Sequence, residues 1–129
     1  MMRQYLYSST AAPGFGQVDM VDLLEASARN NAAAEITGFL LFDESQFLQM
    51  IEGPEAALQD LMRRLGQDKR HGDIALLEDL PLTTRNCPKW TMKRLRLGIA
   101  SELQALVPRS LPLAIRRKVM DFAAHRAAA

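Results

Sequence analysis

The stretch ITGFLLFDESQFLQMIEGP, residues 36–54, decides the fold. Its first part, Ile36 to Phe42, is a continuous apolar run of the kind a buried strand shows. Gln46 to Glu52 returns as a second strand. A link as short as Asp43-Glu44-Ser45 has no room for a crossover, so the two strands form a hairpin and lie antiparallel. Gly53-Pro54-Glu55 then opens a helix, with Pro at the first helical position and acids around the positive end of the helix dipole. One letter is out of place. Alternation puts Gln49 on the same face as Phe47 and Ile51. A buried primary amide needs partners for two donors and an acceptor, and leaving one unpaired costs about 1–3 kcal/mol.

On the N-terminal side, Arg3 to Ser9 (RQYLYSS) reads as a strand, with Tyr5 and Tyr7 on one face and Leu6 on the other. TAAPGFG, residues 10–16, is a turn-rich loop. Val18 to Asn31 is helical by pattern, with Val21, Leu24, Ala28 and Asn31 in one stripe. On the C-terminal side, the helix opened at Pro54 runs to about Gln67, with Leu58, Leu61 and Leu65 on its core side. Asp73 to Leu80 (DIALLEDL) is a fourth strand, Thr83 to Lys89 a loop, and Trp90 to Leu97 (WTMKRLRL) a fifth strand. After Ile99, SELQALV is a short helix. Leu111 to Ala127 is a longer one, with Ile115, Val119 and Phe122 on one side. The order βαββαββ specifies an α+β, ferredoxin-like fold with a mixed five-stranded sheet. Two helices cover one face, and the C-terminal helices cover the other, where Leu48 and Met50 need shelter. The division expected is 1–97 for the main domain and 98–129 for a helical cap.

The chain has 129 residues, enough for one domain with a real core. With 48% hydrophobic and 24% charged residues, it belongs to the soluble globular class. A net charge of +1 argues against a nucleic-acid or membrane partner recruited by bulk charge. The single cysteine, Cys87, excludes an internal disulfide and a cysteine-based metal site. No apolar run approaches the roughly 20 residues of a membrane span. MMRQYLYSS lacks a signal-peptide core, so the cytoplasm is the expected location. There is no Ser-His-Asp pattern, phosphate loop or metal-ligand spacing, which leaves weak grounds for an enzyme.

Several polar residues fall where the pattern calls for apolar ones. Asn31 ends the helical stripe, and Leu61, Arg64 and Asp68 follow at i, i+3 and i+7, so Arg64 and Asp68 border the buried side. Tyr7 lies mid-sheet, and Trp90 and Met92 share one face of the last strand. Together they line a space between the two helices and the sheet suited to a planar ligand with polar edges. Each also has an ordinary reading. Asn31 can end a helix in the left-handed conformation. Arg64 and Asp68 can form a surface i,i+4 pair. Asn30 can be solvated, His71 a loop residue, Trp90 and Met92 core, and Tyr7 a core tyrosine bonded to a carbonyl. Gln49 resists this most, since an amide inside a core is costly.

At these residues the chain resembles the BLUF family, blue-light sensors that use a flavin. The resemblance is carried by YLYSS, SARNNAAAEITGFLLF, FLQMIEGPEAAL, RRLGQDKRH and RNCPKWTM, in that order, from about Arg3 to Leu97. It implies that Tyr7 donates an electron to the excited flavin and that Gln49 lies between Tyr7 and the ring edge. Light would then rearrange the Gln49 hydrogen bonds at a flavin carbonyl. It places Asn31 at the carbonyl edge of the ring, with Asn30 as a neighbouring contact. Arg64 and Asp68 fall near the ring edge and ribityl chain, and Arg70 and His71 near the phosphate side. Trp90 and Met92 match a pair whose placement changes with light, and the C-terminal helices match the relay region. The implied cofactor is a flavin, FAD first, with FMN or riboflavin as alternatives. The implied partners are a downstream protein and a second copy of the chain, with no enzymatic turnover, nucleic acid or membrane. One departure stands out: the family often has Arg-Arg-Phe before the tryptophan, whereas here Arg85 is followed by Asn86 and Cys87. Two other readings remain open. One is a ferredoxin-like interaction module without photochemistry. The other is an acylphosphatase-like enzyme, which needs an anion-binding loop at SSTAAPGFG.

Overall fold

The computed structural model describes residues 1–98 and 100–127. The elements are β1 (Met2–Ala11), α1 (Gln17–Ala34), β2 (Thr37–Phe42), β3 (Gln46–Pro54), α2 (Glu55–Leu65), β4 (His71–Leu82), β5 (Lys93–Arg94), α3 (Ala100–Leu106) and α4 (Leu113–Ala127). The sheet order is β4-β1-β3-β2-β5. All neighbours are antiparallel except β2 and β5. This is the α+β, ferredoxin-like arrangement expected, with β1 and β3 at its centre.

The hairpin folds as its short link requires. Phe42 pairs with Phe47 and Leu41 with Leu48. Asp43 Oδ1 accepts the Ser45 and Gln46 backbone N–H groups at 3.0 and 2.6 Å, an Asx turn that holds the corner. Gly38, within β2, has φ near +159°, and a Cβ there would lie 1.9 Å from the Met50 carbonyl oxygen. Only glycine lets β2 approach β3 this closely.

Alternation splits the apolar residues into two cores. Tyr5, Tyr7, Phe47 and Ile51 face α1 and α2, with Met20 and Leu58 packed against them. Leu6, Phe39, Leu48 and Met50 face the other way. There Leu103 and Val107 of the α3 region and Ile115 and Val119 of α4 cover them, as Leu48 and Met50 demanded.

Several boundaries differ from the sequence pattern. The buried stripe of α1 is rotated by one residue: Met20 is 2% exposed and Val21 52%. α1 also runs on to Ala34, so Asn31 lies inside it; Glu35, at φ 60°, is the left-handed cap instead. Pro54 ends β3, and α2 starts one residue later and stops at Leu65. β4 is longer than expected, His71 to Leu82. The fifth strand is only Lys93–Arg94, because the chain from Trp90 to Met92 wraps around the β2 edge, held there by Gly38 N–H donating to the Trp90 carbonyl at 2.7 Å.

Candidate functional site

The site lies where the centre of the sheet meets α1 and α2. Register sets Gln49 opposite Tyr7 on β1 and opposite Leu40 on β2. Tyr7 is 1% exposed, and its hydroxyl donates to Gln49 Oε1. With its acceptor occupied by a phenol, the amide turns its NH2 toward Met92 Sδ, 3.2 Å away. A thioether is a weak acceptor, so this donor is poorly satisfied. Asn31, buried in α1, donates from Nδ2 to the Thr91 carbonyl at 2.8 Å. Both amides therefore engage the same short segment, Thr91–Met92.

The walls of this cleft are apolar: Leu23 from α1, Leu61 and Leu65 from α2, and Leu40 and Phe47 from the sheet. Ser27 adds a hydroxyl, and His71, first residue of β4, closes one end. The His71 ring lies with Nδ1 2.9 Å from Ser9 Oγ, while Nε2 is buried without a hydrogen-bond partner. Arg70 clasps Asp68 through three contacts of 2.7–3.1 Å. The Asp68 carboxylate in turn lies 3.9 Å from His71 Nε2.

Burial sets the protonation states. It pushes the Tyr7 phenol well above its ordinary value, and the Asp68 charge adds to the rise. Tyr7 is therefore a donor, as its bond to Gln49 Oε1 requires. Burial also lowers His71, helped by the Arg70 charge and opposed by Asp68, so the ring inside is neutral near pH 7. The hydrogen bond from Arg70 holds Asp68 below the usual carboxylate range.

Leucine walls with two amides, a phenol and an imidazole nitrogen that has no hydrogen-bond partner offer apolar faces and polar edges, a setting suited to a planar ligand. The enclosed volume is only about 30 Å³, less than a tricyclic ring occupies.

The structure brings Tyr7, Asn31, Gln49, Met92 and His71 together, with Asp68 and Arg70 reaching the cleft through His71. It does not bring Asn30, Arg64 or Trp90 there. Asn30 is exposed. Arg64 is exposed and pairs with Asp60 at 3.3 Å rather than with Asp68; α2 ends at Leu65, so the helical spacing that joined Arg64 to Asp68 stops short of Asp68. Trp90 packs on the opposite face, edge-on to Phe39 at 6.4 Å, because the chain is not a strand there and residues two apart need not share a face. Among residues that sequence reasoning passed over, Ser27 and Thr91 have no distinguishing signal, since Thr91 acts through its backbone. Glu52 does have one: alternation places it on the apolar outer face with Leu48 and Met50.

Residues 2–93 match the sequence profile described as BLUF, sensors of blue-light using FAD. The photoactivated adenylate cyclase subunit beta of Euglena gracilis is 36% identical over 87 residues, covering 67% of this chain and 10% of that protein. The chain thus spans about a tenth of the length of the Euglena relatives it matches. Among solved structures, "BlrB - a BLUF protein, dark state structure" is 32% identical, with a TM-score of 0.75 over 98% of this chain and 96% of that one. Klebsiella pneumoniae BlrP1 with FMN and cyclic diGMP is 28% identical, with a TM-score of 0.83 over 96% of this chain and 35% of that one.

Proposed function

The chain belongs to the BLUF family of flavin-binding blue-light sensors, and on that premise we propose that Tyr7 and Gln49 are its photoactive pair. The matched segment is a photosensor and not itself an enzyme. The observation that carries the proposal is the buried Tyr7–Gln49–Met92 chain of contacts, in which one amide is held by a phenol at one end and a thioether at the other.

Asn31 and Gln49 would hold the polar edge of the ring, and Leu23, Leu61 and Leu65 its faces. His71, with Arg70 and Asp68 behind it, would meet the side-chain end of the cofactor. A bound flavin would supply blue-light absorption and a strongly oxidising excited state. Tyr7, the electron source in this reading, would give one electron to the excited cofactor and its phenolic proton along the existing bond to Gln49 Oε1, and both would return to Tyr7, so that no net oxidation remains. The amide then exchanges which end faces Tyr7 and which faces Met92. An amide has a donor end and an acceptor end, so turning it over rewrites every hydrogen bond around it without a new covalent bond. Met92 gains or loses its contact accordingly, and the change passes through β5 to α3 and α4.

FAD is the flavin proposed, in line with the family description. FMN remains the alternative, since one solved relative holds it. Denaturing the purified protein and identifying the released flavin by chromatography tests this: FAD is expected, FMN or riboflavin would correct the cofactor, and no flavin would overturn the reading. The proposed recipients of the signal are a downstream protein and a second copy of the chain, in the cytoplasm. Leu106 and Leu113, exposed at the ends of α3 and α4, support a contact there. Among the described residues no helix is long and apolar enough to cross a membrane.

A further inference from the structure

We infer that Glu52 is a positioning residue that sets the partners of Asn31 and Gln49 from the opposite face of the sheet. Its consequence for photochemistry rests on the sensor reading above; its geometry does not. Glu52 is 0% exposed and lies on the outer face, at the end of the apolar row of Leu48 and Met50. A carboxylate there is costly unless each of its oxygens finds a donor. Two backbone groups supply them: Asn86 N–H reaches Oε2 at 2.8 Å, and Cys87 N–H reaches Oε1 at 2.5 Å.

The neighbours of Glu52 on the sheet serve the same loop. Gln4 and Thr37 flank it in register on β1 and β2. Gln4 Nε2 donates to Asn86 Oδ1 at 2.5 Å. Arg85 donates to Thr37 Oγ1, to the Glu52 carbonyl and to the carbonyl of Glu35, the residue that caps α1, at 2.9, 3.2 and 2.6 Å. A polar row across the end of an apolar face thus fixes Arg85, Asn86 and Cys87.

The chain beyond that loop is short and tethered. The Cys87 carbonyl accepts Trp90 N–H at 3.1 Å, and the Trp90 carbonyl accepts Gly38 N–H at 2.7 Å. Rounding the β2 edge, the chain next presents the Thr91 carbonyl to Asn31 and Met92 Sδ to Gln49. Only a few residues separate the Glu52 anchor from these two contacts. A loop that shifts at Asn86 and Cys87 therefore shifts Thr91 and Met92, and with them the partners of both cleft amides.

The test is Glu52→Gln, which keeps the shape but sets an NH2 against a backbone N–H. Solution NMR of the full chain, with labelled methionine methyls and glutamine amides, reads the cleft directly. The Met92 methyl and Gln49 NH2 resonances are expected to move in Glu52→Gln and to stay in Met50→Leu, a change two residues away on the same face. Recovery in the dark after blue light is expected to change about tenfold, the rate equivalent of one charge-assisted hydrogen bond. If the Cys87 N–H loses protection while the Met92 and Gln49 resonances stay in place, Glu52 is a clamp for its own loop and the inference falls. Should Glu52→Gln not fold, Gln4→Leu removes only the Asn86 Oδ1 partner; the same resonances should move by less, and their constancy would overturn the inference. A wild-type chain without a light response would overturn the sensor reading, yet the resonance shifts would still decide the role of Glu52.

Discussion

The two faces of the sheet are built from the same strands and do opposite work. The outer face, with Leu6, Phe39, Leu48 and Met50 under the α3 region and α4, is an apolar core with one polar row at its end. The inner face carries Tyr7, Asn31, Gln49 and His71 within its apolar surroundings. β3 shows the contrast within one strand. Gln49 points into the cleft with one good partner and one weak one, whereas Glu52 points outward with both oxygens satisfied. A group left half-satisfied can change partners at low cost; a fully satisfied one holds still. The amide proposed to switch and the carboxylate proposed to anchor its partners are thus three residues apart on opposite sides of a sheet.

This contrast predicts that the outer face pays in stability and the inner face in function. Met50→Ala, at a fully buried position, is expected to cost about 3 kcal/mol in urea unfolding; a loss below about 1 kcal/mol would mean the outer core is loose. Tyr7→Phe leaves Gln49 Oε1 without its donor and should cost about 1–2 kcal/mol. Adding Gln49→Leu removes the orphaned amide, so the double variant should regain most of that loss. A double variant that is simply additive would show that the pair is not a coupled unit.

Acidity gives a smaller effect. The folded pKa of His71 lies below its ordinary value of 6.5. As pH falls the unfolded chain takes up the proton first, so the stabilisation present above 6.5 is lost as pH drops through 6.5 and down toward the folded value. The unfolding midpoint should be lower at pH 5.5 than at pH 7.5, and His71→Gln should flatten that slope. A slope unchanged in the variant would place the titration elsewhere. Smallest of all, Arg64→Ala should move stability by under about 0.5 kcal/mol, because Arg64 is exposed and its ion pair is with Asp60; a large loss of bound flavin in that variant would return Arg64 to the site.

The hairpin at residues 36–54 was legible because a three-residue link permits one geometry. Tyr7 and Gln49 were legible because a period of two leaves no freedom about which face they take. Asn31 survived a one-residue rotation of the helical stripe, since it borders both versions of that face. The failures share a cause. Trp90 was placed on the same face as Met92 by strand periodicity, but the segment wraps around a strand edge, so of the two Met92 alone reaches the cleft; that path is fixed by tertiary bonds such as Gly38 to Trp90. Arg64 was joined to Asp68 by a helix that ends between them. Glu52 was passed over as the last residue of a strand, although the alternation that sets Gln49 with Phe47 and Ile51 also sets Glu52 on the face of Leu48 and Met50. The roles of these residues toward a flavin came from family likeness, which composition and spacing alone do not supply.

We place the light switch in a Tyr7–Gln49 hydrogen-bond exchange. A blue-light-minus-dark absorption spectrum of the flavin-loaded chain, beside that of Gln49→Leu, reads it directly. A reversible red shift of the flavin band is expected in the wild type and none in Gln49→Leu, with flavin still bound. A normal red shift in Gln49→Leu would remove Gln49 from the switch.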